Sequence, residues 1–152
     1  MVTNTGQVSA PATAQVRTHA PAFFQWGASK YAVTTRYPDN AYIGTPSLGP
    51  QWLAAKPGDT LILWGTGFGP TNPAVPPGTT ASAPASTAES VTVVIGGVNA
   101  PVLGAALSPG LAGVYQGAIQ VPPGVSPGDA SVKASIARYS SPDNVHIYVS
   151  SN

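Results

Sequence analysis

Turn-forming residues recur along the whole chain and divide it into short segments. The 152 residues include 17 Gly and 17 Pro. Between them stand short runs in which apolar and polar residues alternate, which is the pattern of half-buried β-strands. No long segment lacks glycine, proline or β-branched residues, so long helices are not expected. The chain is therefore predicted to be all-β.

The stretch Pro57–Pro70 is the clearest of these segments, and the rest of the fold is expected to be organised around it. Its first three residues, Pro-Gly-Asp, are a turn signal. Thr60–Trp64 then predicts a strand buried on both faces, with Trp64 in the core. The three glycines that follow permit a tight, bulged exit from the strand.

About seven short antiparallel strands at roughly 8–15-residue spacing are typical of a β-sandwich. An Ig-like sandwich is favoured, and a β-barrel is the alternative. Gly96-Gly97 indicates a hairpin turn, with Ala100–Leu107 returning as a single strand. The shared alternation predicts one core that contains Leu61, Leu63, Val93, Ile95, Ile119, Val132, Ile136 and Ile147.

Three segments are expected: residues 1–18, an aromatic linker over 19–56, and the Ig-like domain over 57–152. Within the first, Gln7–Val16 alternates, and no turn and partner strand is expected before it. We interpret it as the closing strand of a preceding repeat in a longer secreted protein, or as an added edge strand. It would pair with its own sandwich, which is favoured, or with a neighbouring molecule. Residues 69–89, rich in Pro, Ala, Ser and Thr, are expected to form a long surface loop.

The composition argues against several functional classes. Only 7% of the residues are charged and the net charge is +1, so neither nucleic acid nor an acidic membrane is an expected partner. The chain has no cysteine, which excludes a disulfide scaffold and thiol chemistry. No apolar run reaches the roughly 18 residues of a membrane helix. Low charge with abundant Thr, Ser, Gly and Pro suggests an extracellular, secreted protein.

No catalytic, cofactor or metal site is predicted. The carboxylates of Asp59 and Asp129 both follow Pro-Gly, so they are expected to cap turns rather than to act as an acid/base pair. His146 is expected on the outward face of the last strand, as a solvated side chain without a catalytic partner.

Aromatic residues before the main sandwich are the candidate binding site. Sugar-binding modules stack sugars on exposed rings, because a ring face offers apolar area beside polar edges. The alternative is that these rings pack the linker onto the sandwich, since large aromatic side chains are usually mostly buried. The candidates are Trp26, Tyr31, Tyr37, Tyr42 and Trp52.

Residues 57–149 resemble a known family, the Solibacter-type C-terminal domain, which is itself similar to the IPT/TIG group of Ig-like domains. The resemblance implies an Ig-like module at the end of a large secreted acidobacterial protein, and it supplies no catalytic residues. Gln7–Val16 resembles the last strand of a preceding Ig-like repeat. The motifs that carry the resemblance are Gly65–Pro70, Ile95–Gly97, Ser108–Gly110, Tyr115-Gln116, Val121-Pro122 and Pro127–Asp129.

The expected function is therefore that of a non-enzymatic extracellular Ig-like module with a structural, spacer or adhesion role. Its expected partners are neighbouring Ig-like domains of the parent chain. Two alternatives remain open: a carbohydrate-binding module that uses the surface aromatics, and a subunit that self-assembles by exchange of the strand at residues 7–16.

Overall fold

The computed structural model describes residues 3–4 and 6–151, and over these ranges it is an all-β sandwich. The all-β prediction is confirmed, but the strands are more numerous and shorter than the expected seven. One 3₁₀ turn, Pro46–Leu48, is present. The strands are β1 (Thr3–Asn4), β2 (Gln7–Val8), β3 (Ala22–Phe23), β4 (Thr34–Tyr37), β5 (Tyr42–Ile43), β6 (Trp52–Leu53), β7 (Thr60–Thr66), β8 (Thr71–Asn72), β9 (Ala85–Thr87), β10 (Val91–Ile95), β11 (Val98–Ala100), β12 (Val102–Leu107), β13 (Tyr115–Gln120), β14 (Gly128–Ile136), β15 (Tyr139–Ser140) and β16 (His146–Val149).

The strands form two main sheets, and β1 and β2 form a separate hairpin. The large sheet has nine strands in the order β6-β5-β4-β7-β13-β12-β9-β8, with β3 also paired to β7. The small sheet has five strands in the order β11-β10-β14-β15, with β16 also paired to β14. Bridges from Tyr31 to His146 and from Ala55 to Val149 join segments beside the large sheet to the small sheet.

The chain passes from one sheet to the other at Pro101. β10 and β11 form the hairpin predicted at Gly96-Gly97, with Ile95 opposite Val98. The single strand expected over Ala100–Leu107 is instead two strands, one in each sheet. Proline has no N–H to continue a ladder, and its carbonyl accepts a hydrogen bond from Gln120 N–H, so the chain turns there into the large sheet.

The interior contains the predicted core. All eight predicted residues are buried, none more than 4% exposed, and seven belong to one apolar cluster. Ile136 is buried but lies outside that cluster. Residues from the preceding segment complete the core, including Phe23, Ile43 and Ala55.

The prediction of a strand over Gln7–Val16 is wrong for most of these residues. Only Gln7–Val8 is a strand, and it pairs with Thr3–Asn4, so a hairpin partner does precede it. Residues 9–17 belong to no strand and are exposed, and the Val16 side chain is 97% exposed. The physical reason is that Pro11 interrupts the ladder and the small alanines bury too little apolar area to offset the ordering of the chain. The strand therefore does not add to an edge of its own sandwich.

The segment 19–56, expected as a linker, is part of the sandwich. It supplies β3–β6 to the large sheet, and its Ile43 and Ala55 are fully buried. The sequence pattern of Lys30–Tyr37 predicts a strand over those residues, but β4 is shorter, Thr34–Tyr37, with β-bridges at Tyr31 and Ala32. The sequence pattern does not predict β3, β5 and β6, because two-residue strands are too short to show a period.

The loop expected over residues 69–89 also differs in part from the structure. It contains β8 and β9, which form one edge of the large sheet. Ala81 and Ala85 are buried and pack with Leu107 in a second, small apolar cluster. The alanines between the prolines predict loop residues, but Ala81 and Ala85 fill the space under this edge.

Candidate functional site

Three of the five candidate aromatics lie together at one edge of the large sheet. The ring centroid of Trp26 lies 5.2 Å from that of Tyr42 and 5.1 Å from that of Trp52, and the last two lie 5.6 Å apart. The Tyr42 side chain is 43% exposed, and both tryptophans are half-buried. We call Trp26, Tyr42 and Trp52 the aromatic edge.

Local backbone geometry explains how the aromatic edge forms. β5 and β6 pair in parallel, which places Tyr42 beside Trp52. Gly44 leaves room for the indole: a Cβ at this position would lie 2.7 Å from Trp52 Cε3. Trp26 is fixed by a turn in which its N–H bonds to the Tyr31 carbonyl, and its Nε1 is buried without a hydrogen-bond partner among the described residues.

The other two candidate aromatics do not join this edge. Tyr37 is 63% exposed on β4. Tyr31 is buried, with only 7% of its surface exposed, and its Oη donates a hydrogen bond to Asp129 Oδ1 at 2.5 Å. Burial first, and the hydrogen bond to Asp129 second, raise the pKa of Tyr31 to about 12. Tyr31 is therefore a structural residue.

Asp129 does not cap a turn, contrary to expectation. It lies in β14 and accepts hydrogen bonds from Lys30 Nζ, at 2.5 Å, and from Tyr31. The hydrogen bond from Lys30, and next that from Tyr31, hold the pKa of Asp129 below its usual value. Asp59, the other carboxylate expected to cap a turn, does so: its Oδ2 accepts a hydrogen bond from the Lys56 N–H at 2.9 Å.

His146 is half-buried rather than solvated. Its backbone bonds to Lys30 and Ala32, and its Nδ1 is buried without a hydrogen-bond partner in the described part of the chain. The other histidine, His19, is 3% exposed and packs on Gly69, where a Cβ would lie 2.4 Å from its ring. Both rings lie in packing positions that the alternation pattern did not reveal.

The aromatic edge continues into the outer face of the large sheet. In β7, Leu61 and Leu63 point into the core, so the residues between them point outward. The strand registers align these outward residues in three rows. The first is Trp52, Tyr42, Thr35, Ile62, Ala118 and Gly104; the second is Trp64, Gln116, Ala106, Ser86 and Asn72; the third is Tyr37, Thr60 and Gln120.

We call these three rows the uncharged face, because none of the six basic and five acidic residues of the chain stands in them. Trp64 is half-buried on this face, so its predicted place in the core is wrong; Phe68, 5% exposed, lies in the core instead. The expectation that β7 is buried on both sides is corrected in the same way. The signal that could have revealed this face is the uncharged character of the alternate residues in β7 and β13.

The outer face of the small sheet has a different character. Its outward residues include Lys133, opposite Val94, and Asp129, opposite Tyr148. Charged and hydroxyl side chains are mixed there, as on an ordinary solvated surface. The two faces of the sandwich are therefore chemically distinct.

Within the described ranges, no group of three or more His, Cys, Asp or Glu side chains is arranged to hold a metal ion. In the same ranges, no helix has the length and hydropathy needed to cross a bilayer.

Comparisons with models of known protein families, with curated proteins and with solved structures found no match.

Proposed function

We propose that this chain is a non-enzymatic, extracellular Ig-like module of the IPT/TIG type, with a structural, spacer or adhesion role in a larger secreted protein. The observation that carries the proposal is the filled interior between the two sheets. The void lined by Phe23, Leu63 and Phe68 measures about 10 Å³. A space of that size holds one water molecule at most, so this void is not a substrate chamber.

Two further features support a role as a module. Residues 9–17 are exposed and belong to no strand, which suits a tether between the β1–β2 hairpin and the sandwich. Three of the five carboxylates are held in structural contacts: Asp59 caps a turn, Asp39 pairs with Arg36 at 2.5 Å, and Asp129 pairs with Lys30. The fold alone does not fix the function, so the proposal depends on these features together.

Surface labelling and activity assays test this proposal. Antibodies raised against the purified chain are expected to label intact cells of the source organism or their secreted fraction. The purified protein is expected to show no turnover on panels of esters, glycosides and peptides. Labelling confined to the interior of lysed cells, or turnover that is lost in Asp129→Asn, would contradict the proposal.

A further inference from the structure

We infer that the uncharged face binds a neutral polysaccharide, with the aromatic edge as its stacking site. This inference deepens the proposed adhesion role and rests on it, because it names the chemical class to which the module would attach. It is carried by the composition, shape and extent of the face.

The face is large enough for an extended chain of sugars. The row from Trp52 to Gly104 crosses six strands, β6, β5, β4, β7, β13 and β12. At about 4.8 Å between neighbouring strands, this row spans about 24 Å. A shallow depression of about 230 Å³ lies over its small residues and is lined by Ile62, Gly104, Ala118 and Gln116 among others.

The charge distribution selects a neutral partner. No carboxylate, ammonium or guanidinium group stands in the three rows, although such groups are present on the outer face of the small sheet. An ionic ligand would lose its hydration on the uncharged face without gaining a counter-charge. A neutral ligand has no such cost.

The side chains of the face match the two surfaces of a sugar. Aromatic rings, with Tyr42 43% exposed, offer apolar area to the C–H faces of pyranose rings. Gln116, Gln120 and Thr35 offer amide and hydroxyl groups that can bond to sugar hydroxyls. Polar side chains are frequent in the second and third rows, where they include Gln116, Ser86, Asn72, Thr60 and Gln120, whereas the interfaces of homodimers are more apolar. This composition favours a polysaccharide over a second copy of the chain.

Sedimentation with insoluble polysaccharides tests the inference. The purified protein is mixed with microcrystalline cellulose, chitin, starch granules or insoluble β-1,3-glucan, and with calcium alginate as an anionic comparison. Retention by at least one neutral polymer is expected, and it should persist at about 1 M NaCl, because salt screens only interactions between charges. Retention by alginate alone, or by no neutral polymer, would overturn the inference.

Variants locate the binding surface. Trp52→Ala and Tyr42→Ala should each weaken retention by about three- to tenfold, as expected for the loss of a stacking ring. The matched control is Tyr148→Ala, which removes a half-buried ring from the small sheet. Ala118→Arg should abolish retention by placing a charged side chain on the face, whereas Thr92→Arg, on the outer face of the small sheet, should not. Thermal melts of each variant show whether it is folded.

Two outcomes separate this inference from others. Equal retention by Ala118→Arg and Thr92→Arg would show that the face is not the binding site. A dimer that Ala118→Arg converts to a monomer, without polysaccharide binding, would assign the face to a second copy. Both results overturn the inference but leave the proposed structural role standing, because that role is tested by surface labelling and by the absence of turnover.

Discussion

Tyr31 donates a hydrogen bond from its Oη to Asp129 Oδ1, at 2.5 Å, and so ties a segment before β4 to β14 of the opposite sheet. Lys30 Nζ contacts the other oxygen of the same carboxylate at 2.5 Å. The hydrogen bond between Tyr31 and Asp129 joins residues 98 positions apart, and it helps to make the segment 19–56 part of the sandwich.

The acid side of the stability profile should depend on Asp129. Its folded-state pKa lies below the ordinary value of 3.8, so its contribution is present above that value and is lost as the pH falls through the folded-state pKa. The Asp129→Asn variant should be less stable than the parent protein at neutral pH, and it should lose less stability than the parent protein as the pH falls from neutral to below 3.8. Urea unfolding across this pH range measures the effect, and parallel pH profiles for the two proteins would contradict it.

The alkaline side should depend on Tyr31. Its folded-state pKa is raised to about 12 from 10.0. The contribution of the protonated phenol to the stability of the fold is therefore fully present below pH 10, and it is lost as the pH rises through about 12. Tyr31→Phe should therefore lose less stability than the parent protein over this range. Tyr37→Phe is the matched control for the loss of a phenol hydroxyl, since that side chain is 63% exposed.

Gly67 should not tolerate a side chain. Its φ is +75°, and a Cβ at this position would lie 2.0 Å from the Ala20 carbonyl oxygen. The Ala20 N–H donates a hydrogen bond to the Gly67 carbonyl, which holds the two segments together. Gly67→Ala should cost at least about 2 kcal/mol through backbone strain and displacement of this segment. Gly104→Ala is the control, because a Cβ there has no heavy atom within 4 Å. Similar unfolding free energies for the two variants would show that the Ala20 carbonyl does not lie this close to Gly67.

Ile95 should be a core residue with a large truncation cost. Its side chain is 0% exposed, so Ile95→Ala should lower the free energy of unfolding by about 2–5 kcal/mol. Val94→Ala, the next position on the same strand, faces outward and should cost about 1 kcal/mol or less. Denaturant titration compares them, and a loss below about 0.5 kcal/mol for Ile95→Ala would remove it from the core.

The segment before the sandwich should add little stability. Residues 9–17 are exposed and outside every strand, so deletion of residues 1–17 should change the free energy of unfolding by about 0.5 kcal/mol or less. Light scattering on both proteins tests strand exchange at the same time. An oligomer that becomes monomeric on deletion would support the exchange that was predicted as an alternative.

Long alternating strands were predictable, whereas short pairings were not. β14 has nine residues, in which Val132, Ala134 and Ile136 are all buried, and this gives a clear period. Tyr42 and Trp52 lie in two-residue strands that pair in parallel. That the two residues lie side by side depends on tertiary contacts, which a local sequence pattern does not predict. The uncharged face likewise needed the registers, because alternation shows which side a residue faces but not which residues become its neighbours across strands.

The uncharged face is tested most directly by NMR titration of the ¹⁵N-labelled protein with soluble neutral oligosaccharides, cellohexaose and chitohexaose. We predict that at least one of them shifts the indole N–H signal of Trp52 and the side-chain amides of Gln116 and Gln120. Signals of Thr92 and Lys133, on the outer face of the small sheet, should stay unchanged. Shifts confined to the small sheet, or no shifts with either oligosaccharide, would contradict the assignment of this face as a glycan-binding surface.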